Sequence, residues 1–365
     1  MKLIDIIAGA RPNFMKIAPI IRALKGQAAN GGVLRYRLVH TGQHYDPKLS
    51  GAFFEQLGIP EPDVNLEVGS GTQAEQTAAI MMRYERLLVQ QRSDLCLVVG
   101  DVTSTMACAI AAQKLCVPTA HVEAGIRSGD WTMPEEINRM VTDAITNWFF
   151  TTSEVANENL RKAGVDESRI FFVGNTMIDT LMANLSRLQA PPFWSELGLE
   201  ASEYFVVTLH RPANVDALDG FACLLKAIGD ATRGMPVIFP VHPRTAKTLR
   251  EVEGVPDEIY LIDPQPYLEF NYLVKHAKAV ITDSGGITEE TTVMGVPCLT
   301  LRDSTERPET VTIGTNELLG TNPAALAPAL SKLFAGQWKC GAIPEKWDGK
   351  TAERIVAHLE KLLCT

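Results

Sequence analysis

Short runs of aliphatic and β-branched residues alternate with longer stretches whose apolar positions recur every three or four residues, from one end of the chain to the other. The short runs predict strands at 3–8, 36–41, 95–100, 119–122, 148–152 and 170–173 in the first half. In the second half they predict strands at 204–209, 237–240, 259–262, 279–282 and 297–301. The clearest helical stretch is 74–91, where Ala78, Met81, Met82, Leu88 and Val89 are spaced for one buried face. The tail, 351–364, is an amphipathic helix with Ile355, Leu359, Leu362 and Leu363 on one side. Strands separated by helices imply βαβ crossovers and parallel sheets covered on both faces. The alternation pauses at 187–203, where Pro191-Pro192 and a polar stretch read as a linker and a short helix. The pattern therefore predicts an α/β protein of two similar halves, 1–185 and 186–350. The final helix, 351–365, either closes the second half or packs back on the first.

A length of 365 residues suits two such domains. The 34 basic and 43 acidic residues leave a net charge of −9, a poor match for nucleic acid or an anionic membrane surface. No uncharged apolar stretch approaches the roughly 18 residues needed to cross a bilayer. The first strand, with Asp5 inside it, lacks the apolar core of a signal peptide, so a soluble cytoplasmic protein is expected. The seven cysteines are odd in number and form no CxxC pair. They read as free, mostly buried thiols of a reducing compartment, without disulfides or zinc.

In open parallel sheets ligands bind beyond the carboxyl ends of the strands, and the chemically useful residues fall there. The first strand runs into Gly9-Ala10-Arg11-Pro12-Asn13, with Lys16 on the following helix, a natural anion site. A plain helix start with surface charges accounts for Arg11 and Lys16 equally well. There is no G-x-G-x-x-G and no Walker A sequence, so neither a nicotinamide fingerprint nor ATP phosphoryl transfer is indicated. Asp101 follows the strand at 95–100 and is open to a capping role; Glu123 follows the next strand and has no evident structural purpose. Glu135 and Glu136 open a helix, where the dipole favours them in any case. Convergence of Asp101, Glu123 and Glu135 on one cleft would separate their pKa values as acid–base chemistry requires. In the second half His210-Arg211 and His242-Pro243-Arg244 end successive strands. Thr282-Asp283-Ser284-Gly285-Gly286 then turns from strand to helix. Ser284, Gly285 and Gly286 would seat phosphates and Glu290 would accept ribose hydroxyls, which together suggest a nucleoside diphosphate; a simple glycine-rich turn is the alternative.

The set G-A-R-P-N-F-M-K, T-G-Q-H-Y-D, G-D-V-T-S-T, H-V-E-A-G-I-R-S-G-D, P-E-E-I-N-R, T-D-S-G-G-I-T-E-E and R-D-S-T-E-R-P-E resembles the non-hydrolysing UDP-N-acetylglucosamine 2-epimerases over about residues 9 to 310. The resemblance implies two Rossmann-like domains of the B-type glycosyltransferase fold with the active site in the interdomain cleft. It implies interconversion of UDP-GlcNAc and UDP-ManNAc by anti elimination of UDP to a 2-acetamidoglucal and re-addition, without metal or other cofactor. It further implies a homodimer serving polysaccharide biosynthesis. By resemblance Asp101, Glu123 and Glu135 are catalytic carboxylates, and Arg11, Lys16 and His210 contact the diphosphate or its leaving oxygen. Ser284, Gly285 and Gly286 seat the phosphates, Glu290 takes the ribose and Phe270 lies against uracil. Gln43, Glu136 and His242 match parts of a second, activating nucleotide-sugar site. Asp46, standing where many bacterial members carry glutamine, puts that activation in doubt and also resembles relatives acting on diacetamido uronic acids. A glycosyltransferase of the same fold, a nucleotide-sugar sensor and a hydrolysing epimerase are the rival readings.

Overall fold

The computed structural model describes residues 1–42 and 56–364, and only the backbone of Arg11, Pro12, Pro243 and Arg244. The chain divides into two compact units, Met1–Ala183 with Glu345–Thr365, and Asn184–Pro344. Among the described residues no helix is long and apolar enough to cross a membrane.

The first unit is built on a seven-stranded sheet of order β3-β2-β1-β4-β5-β6-β7. Its strands are β1 (Lys2–Ala8), β2 (Leu34–His40), β3 (Val64–Asn65), β4 (Leu95–Val99), β5 (Thr119–Val122), β6 (Trp148–Thr151) and β7 (Ile170–Phe172). Every pairing is parallel. β1 and β4 are wholly apolar inward except for Asp5, which is fully buried. Its carboxylate accepts from Arg37 Nε at 2.7 Å and Nη2 at 2.8 Å, and from the Tyr84 hydroxyl at 3.0 Å, so the charge that broke the apolar run is paired and hydrogen-bonded.

The second unit carries a six-stranded parallel sheet of order β10-β9-β8-β11-β12-β13. Its strands are β8 (Phe205–Thr208), β9 (Val237–Pro240), β10 (Ile259–Ile262), β11 (Ala279–Thr282), β12 (Cys298–Thr300) and β13 (Asn316–Leu318). One core lies under the helices Leu218–Thr232 and Leu326–Phe334, with Phe205, Phe221, Phe239 and Ile281 at its centre.

Each sheet reverses its strand order once, between β1 and β4 and between β8 and β11. Helices leaving the two central strands there diverge to opposite faces, opening a crevice at the carboxyl ends.

Two expectations need correction. The helix predicted at 74–91 spans Gln73–Gln90, but it buries Ile80, Tyr84 and Leu88; of the residues expected on that face Ala78, Met82 and Val89 are exposed, the last two at 54% and 70%. The true stripe repeats every fourth residue and includes a tyrosine whose hydroxyl finds Asp5, which an apolar-only pattern overlooks. The thiols are not mostly buried: Cys96, Cys108 and Cys298 are, whereas Cys116, Cys223, Cys340 and Cys364 are exposed. Cys116 and Cys364 sit at helix ends, outside the apolar strands that bury Cys96 and Cys298. β3 and β13, of two and three residues, were too short to leave a pattern.

The tail helix, Thr351–Cys364, belongs to the first unit. Asp179 caps it from outside, accepting from the backbone N–H of Thr351 at 3.1 Å and of Ala352 at 2.7 Å. Gly174, at φ +105°, passes so close to the Lys346 carbonyl that a Cβ would lie 2.1 Å from its oxygen.

Candidate active site

In the first unit the neighbours β1, β4 and β5 end side by side. β1 runs through Gly9 and Ala10 into the helix Arg11–Ala29. The amides of Gly9 and Ala10 donate to Asn13 Oδ1 at 3.0 and 3.1 Å, and Asn13 Nδ2 donates to the Val99 carbonyl at 2.9 Å. One asparagine thus ties the turn after β1 to the end of β4. A turn later on the same helix, Lys16 Nζ lies 2.5 Å from Glu123 Oε2, with both side chains nearly buried. Gly100, between them, has φ +67°, and a Cβ there would fall 2.9 Å from that ammonium. The left-handed backbone is what favours glycine here, and the absent side chain also leaves the ammonium its place.

Glu123 itself has φ +69°, a left-handed conformation that non-glycine residues adopt at a cost. The amides of Glu123 and Ala124 both donate to the Phe150 carbonyl, at 3.0 and 3.2 Å, and hold the turn. Below it His121 bridges the Gly100 carbonyl, 2.9 Å from Nε2, and Asp143, 2.7 Å from Nδ1. Burial pushes the Asp143 carboxyl up, but the His121 hydrogen bond and the Arg127 guanidinium at 2.6 Å outweigh it and hold it below the usual range.

Asp101, partly exposed, accepts from Arg139 Nε at 3.0 Å, and its carbonyl accepts from Asn138 Nδ2 at 2.8 Å. Arg139 also donates to Glu136 Oε2 at 2.8 Å. Glu136 in turn receives the Ser128 amide and hydroxyl at 2.9 and 3.0 Å and the Gly129 amide at 3.1 Å. Burial alone would raise its carboxyl; these donors lower it. The carboxylate of Glu136 is thereby spent on the loop after β5. Glu135, half-buried, opens the same helix, Pro134–Ile145. The structure thus brings Lys16, Asp101 and Glu123 to one edge, and ties Asp101 to the helix that Glu135 begins. Of Arg11 only the backbone is described, and Gln43 and Asp46 lie outside the described residues.

In the second unit β8 and β11 end beside each other. Asp283, fully buried after β11, accepts from His210 Nδ1 at 2.9 Å, from the His210 and Arg211 amides at 3.0 and 2.9 Å, and from Asn214 Nδ2 at 3.0 Å. Burial pushes its carboxyl up, but these donors, His210 foremost, hold it below the usual range. The imidazole is therefore fixed through Nδ1 and is itself 38% exposed. His242 lies against it, ring centroids 6.1 Å apart. Ser284 then begins the helix Gly285–Met294, and its side chain makes no capping hydrogen bond. Ser284, Gly285 and Gly286 are half-buried, so the first-turn amides remain open to an anion.

One turn on, buried Glu290 accepts from the Tyr267 hydroxyl at 2.9 Å, and Asn271 Nδ2 lies 3.5 Å away. Burial, with Glu289 adjacent, pushes its carboxyl up to about 7. Phe270, half-buried, rides on the same helix as Tyr267 and Asn271, Tyr267–His276. The partners Asn13, Arg139, Asp143, Asn214 and Asp283 are not singled out by the sequence reading, although Asn13, Arg139 and Asp283 stand inside the motifs quoted above.

Two parallel doubly wound units with charged strand ends and an open glycine turn define an enzyme of the B-type glycosyltransferase fold class. A sequence profile described as UDP-N-acetylglucosamine 2-epimerase matches residues 27–360. A UDP-N-acetylglucosamine 2-epimerase of Methanocaldococcus jannaschii is 40% identical over 98% of this chain and 99% of its own. A crystal structure of the epimerase from that organism, in complex with UDP-GlcNAc and UDP, superposes with a TM-score of 0.88 at 39% identity, covering 99% of this chain and 100% of that one. A UDP-2,3-diacetamido-2,3-dideoxy-D-glucuronate 2-epimerase of Pseudomonas aeruginosa is 39% identical over 88% of each chain. The chain belongs to the UDP-N-acetylglucosamine 2-epimerase family, whose members are isomerases.

Beyond these residues, Glu309 is buried and neither carboxylate oxygen has a hydrogen-bond partner among the described residues. Burial pushes its carboxyl up to about 7, against the pull of Arg307. A carboxyl raised in the folded state favours folding when protonated. Its contribution is complete below the ordinary carboxylate range and is lost as pH rises through about 7. Glu309→Gln should therefore melt above wild type at about pH 8 and level with it at about pH 4.5, as read by thermal denaturation at both values. A variant less stable than wild type at the higher pH would contradict this.

Proposed function

We propose that this chain interconverts UDP-GlcNAc and UDP-ManNAc by eliminating UDP across C1–C2 of the sugar and adding it back on the other face. The observation that carries this reading is the division of charge between the strand ends. Those of the first unit present carboxylates held by fixed cations, and those of the second present an uncapped glycine turn beside an oriented imidazole. The C2 proton is not acidic, because no neighbouring carbonyl stabilises a carbanion. Departure of the diphosphate must lead or accompany its loss, and positive charge develops at C1. Carboxylates stabilise that charge and take the proton, while amides and a cationic or proton-donating imidazole stabilise the leaving diphosphate.

In this scheme Asp101, Glu123 and Glu135 serve the sugar, with Lys16 fixing Glu123. His210, set by Asp283, serves the leaving oxygen together with Arg11. Ser284, Gly285 and Gly286 hold the phosphates, Glu290 the ribose and Phe270 the uracil ring. His242, packed on His210, and Gln43 belong to a second nucleotide-sugar site. Glu136 borders that site by holding the loop at Ser128. The Pseudomonas relative, nearly as similar as the Methanocaldococcus one, supports a second reading in which the sugar is a diacetamido uronic acid.

A homodimer is supported by an apolar groove of about 560 Å³ on the first unit, lined by Ala78, Met81, Met106, Pro134 and Ile137. Exposed Trp131, at 65%, and Met82 lie near it in sequence. We place the reaction in the cytoplasm, supplying polysaccharide biosynthesis; the free thiols suit a reducing compartment.

Proton NMR of the protein with UDP-GlcNAc, and separately with its diacetamido uronic acid counterpart, in deuterated water should show the 2-epimer with deuterium at C2 for the true substrate. Turnover with full retention of the C2 proton would sink the mechanism. Glu123→Gln should keep the fold by circular dichroism and lose about a hundredfold or more in kcat, the scale of a positioned acid–base group. Near-wild-type turnover would remove Glu123 from the chemistry. Light scattering should give twice the 39.9 kDa mass of the chain, and a monomer would refute the dimer.

A further inference from the structure

The sheet order sets the end of β12 next to the glycine turn that follows β11. Just beyond β12, Arg302 donates to Glu306 through both arms of its guanidinium, Nη1 to Oε2 at 2.7 Å and Nη2 to Oε1 at 2.8 Å. Both residues are 8% exposed. The pair lies against Gly285. A Cβ built on Gly285 would sit 3.7 Å from Glu306 Oε2 and 3.8 Å from Arg302 Nη1, with nothing closer. These are ordinary contacts, so packing does not demand glycine at this position. An alanine methyl would fit and would roof the ion pair. Glycine leaves no side chain between the start of this helix and the ion pair.

Fold stability does not account for the pair, since a buried ion pair gains little over apolar side chains of equal volume. A guanidinium locked in plane by a carboxylate is, however, well suited to phosphate oxygens. It is always charged, and it retains further N–H donors after two are used. Such a charge needs no rearrangement when a leaving diphosphate gains negative charge. We propose that Arg302, held by Glu306, is a phosphate-binding residue of the diphosphate seat. This deepens the UDP-sugar reading and rests on it.

The test compares UDP with uridine, titrated into the full-length protein and followed by ligand-observed NMR. Arg302→Met combined with Glu306→Gln removes both charges at similar volume, and Arg302→Lys keeps the charge but loses the fork. Uridine affinity should stay within about twofold of wild type in both variants. UDP affinity should fall by about tenfold or more in the double variant, the size of a lost charge-assisted hydrogen bond, and by less in Arg302→Lys. Unchanged UDP affinity in the double variant would overturn the proposal. Equal weakening of uridine and UDP would do so too, because the pair would then only support the fold. If the double variant does not fold, Arg302→Lys decides on the same comparison. Wild-type protein that binds neither ligand would overturn the UDP-sugar reading itself, and the role of Arg302 with it.

Discussion

In a parallel sheet every strand finishes at the same edge, and the candidate groups at the strand ends depend on that constraint. Lys16, Asp101 and Glu123 come from segments far apart in the chain, yet they meet because β1, β4 and β5 are neighbours that end together. His210 and Asp283 meet for the same reason at β8 and β11, and Arg302 follows the neighbouring β12. The helices that follow add their N-terminal partial charge at the same edge. The net charge of −9 is a sum over the whole chain, and the cations and helix-start amides at these strand ends are local exceptions to it.

The site is held by arrangements that cost stability elsewhere. Glu123 occupies a left-handed conformation, worth about 1–3 kcal/mol of strain for a residue with a side chain, and it is kept there by Lys16 and the Phe150 carbonyl. Arg139 bridges Asp101 and Glu136, so that one guanidinium fixes two carboxylates, one of which holds the loop after β5. Asp283 spends its carboxylate on two amides, an asparagine and the imidazole. Each of these buried charges is compensated by a partner whose place the backbone dictates, which is how polar groups survive at the margin of an apolar core.

Much of this was legible in the sequence, and the boundary of legibility is physical. Strand ends could be placed because apolar runs stop at Gly9, Gly100 and Gly285, and the residues just after them are the candidates. What could not be read were the pairings. Lys16 and Glu123 are 107 residues apart, His210 and Asp283 are 73 apart, and Asp101 and Arg139 are 38 apart. Only the fold brings them within hydrogen-bond reach. Apolar spacing is weakest where side chains have two natures: Tyr84 lies on its helix's buried face, and its hydroxyl reaches Asp5 there. Glu290 reads as a ribose acceptor from its spacing, but its tether to Tyr267 and its near-neutral carboxyl depend on burial that spacing does not report.

The central claim is that turnover breaks the bond between the anomeric carbon and the diphosphate. UDP-GlcNAc carrying oxygen-18 only in that bridging position would test it most directly, with the label followed by phosphorus NMR in substrate recovered after partial turnover. If UDP departs and returns, its terminal phosphate rotates and the label spreads into the non-bridging positions. A label that stays wholly in the bridge while the sugar is epimerised would contradict the account.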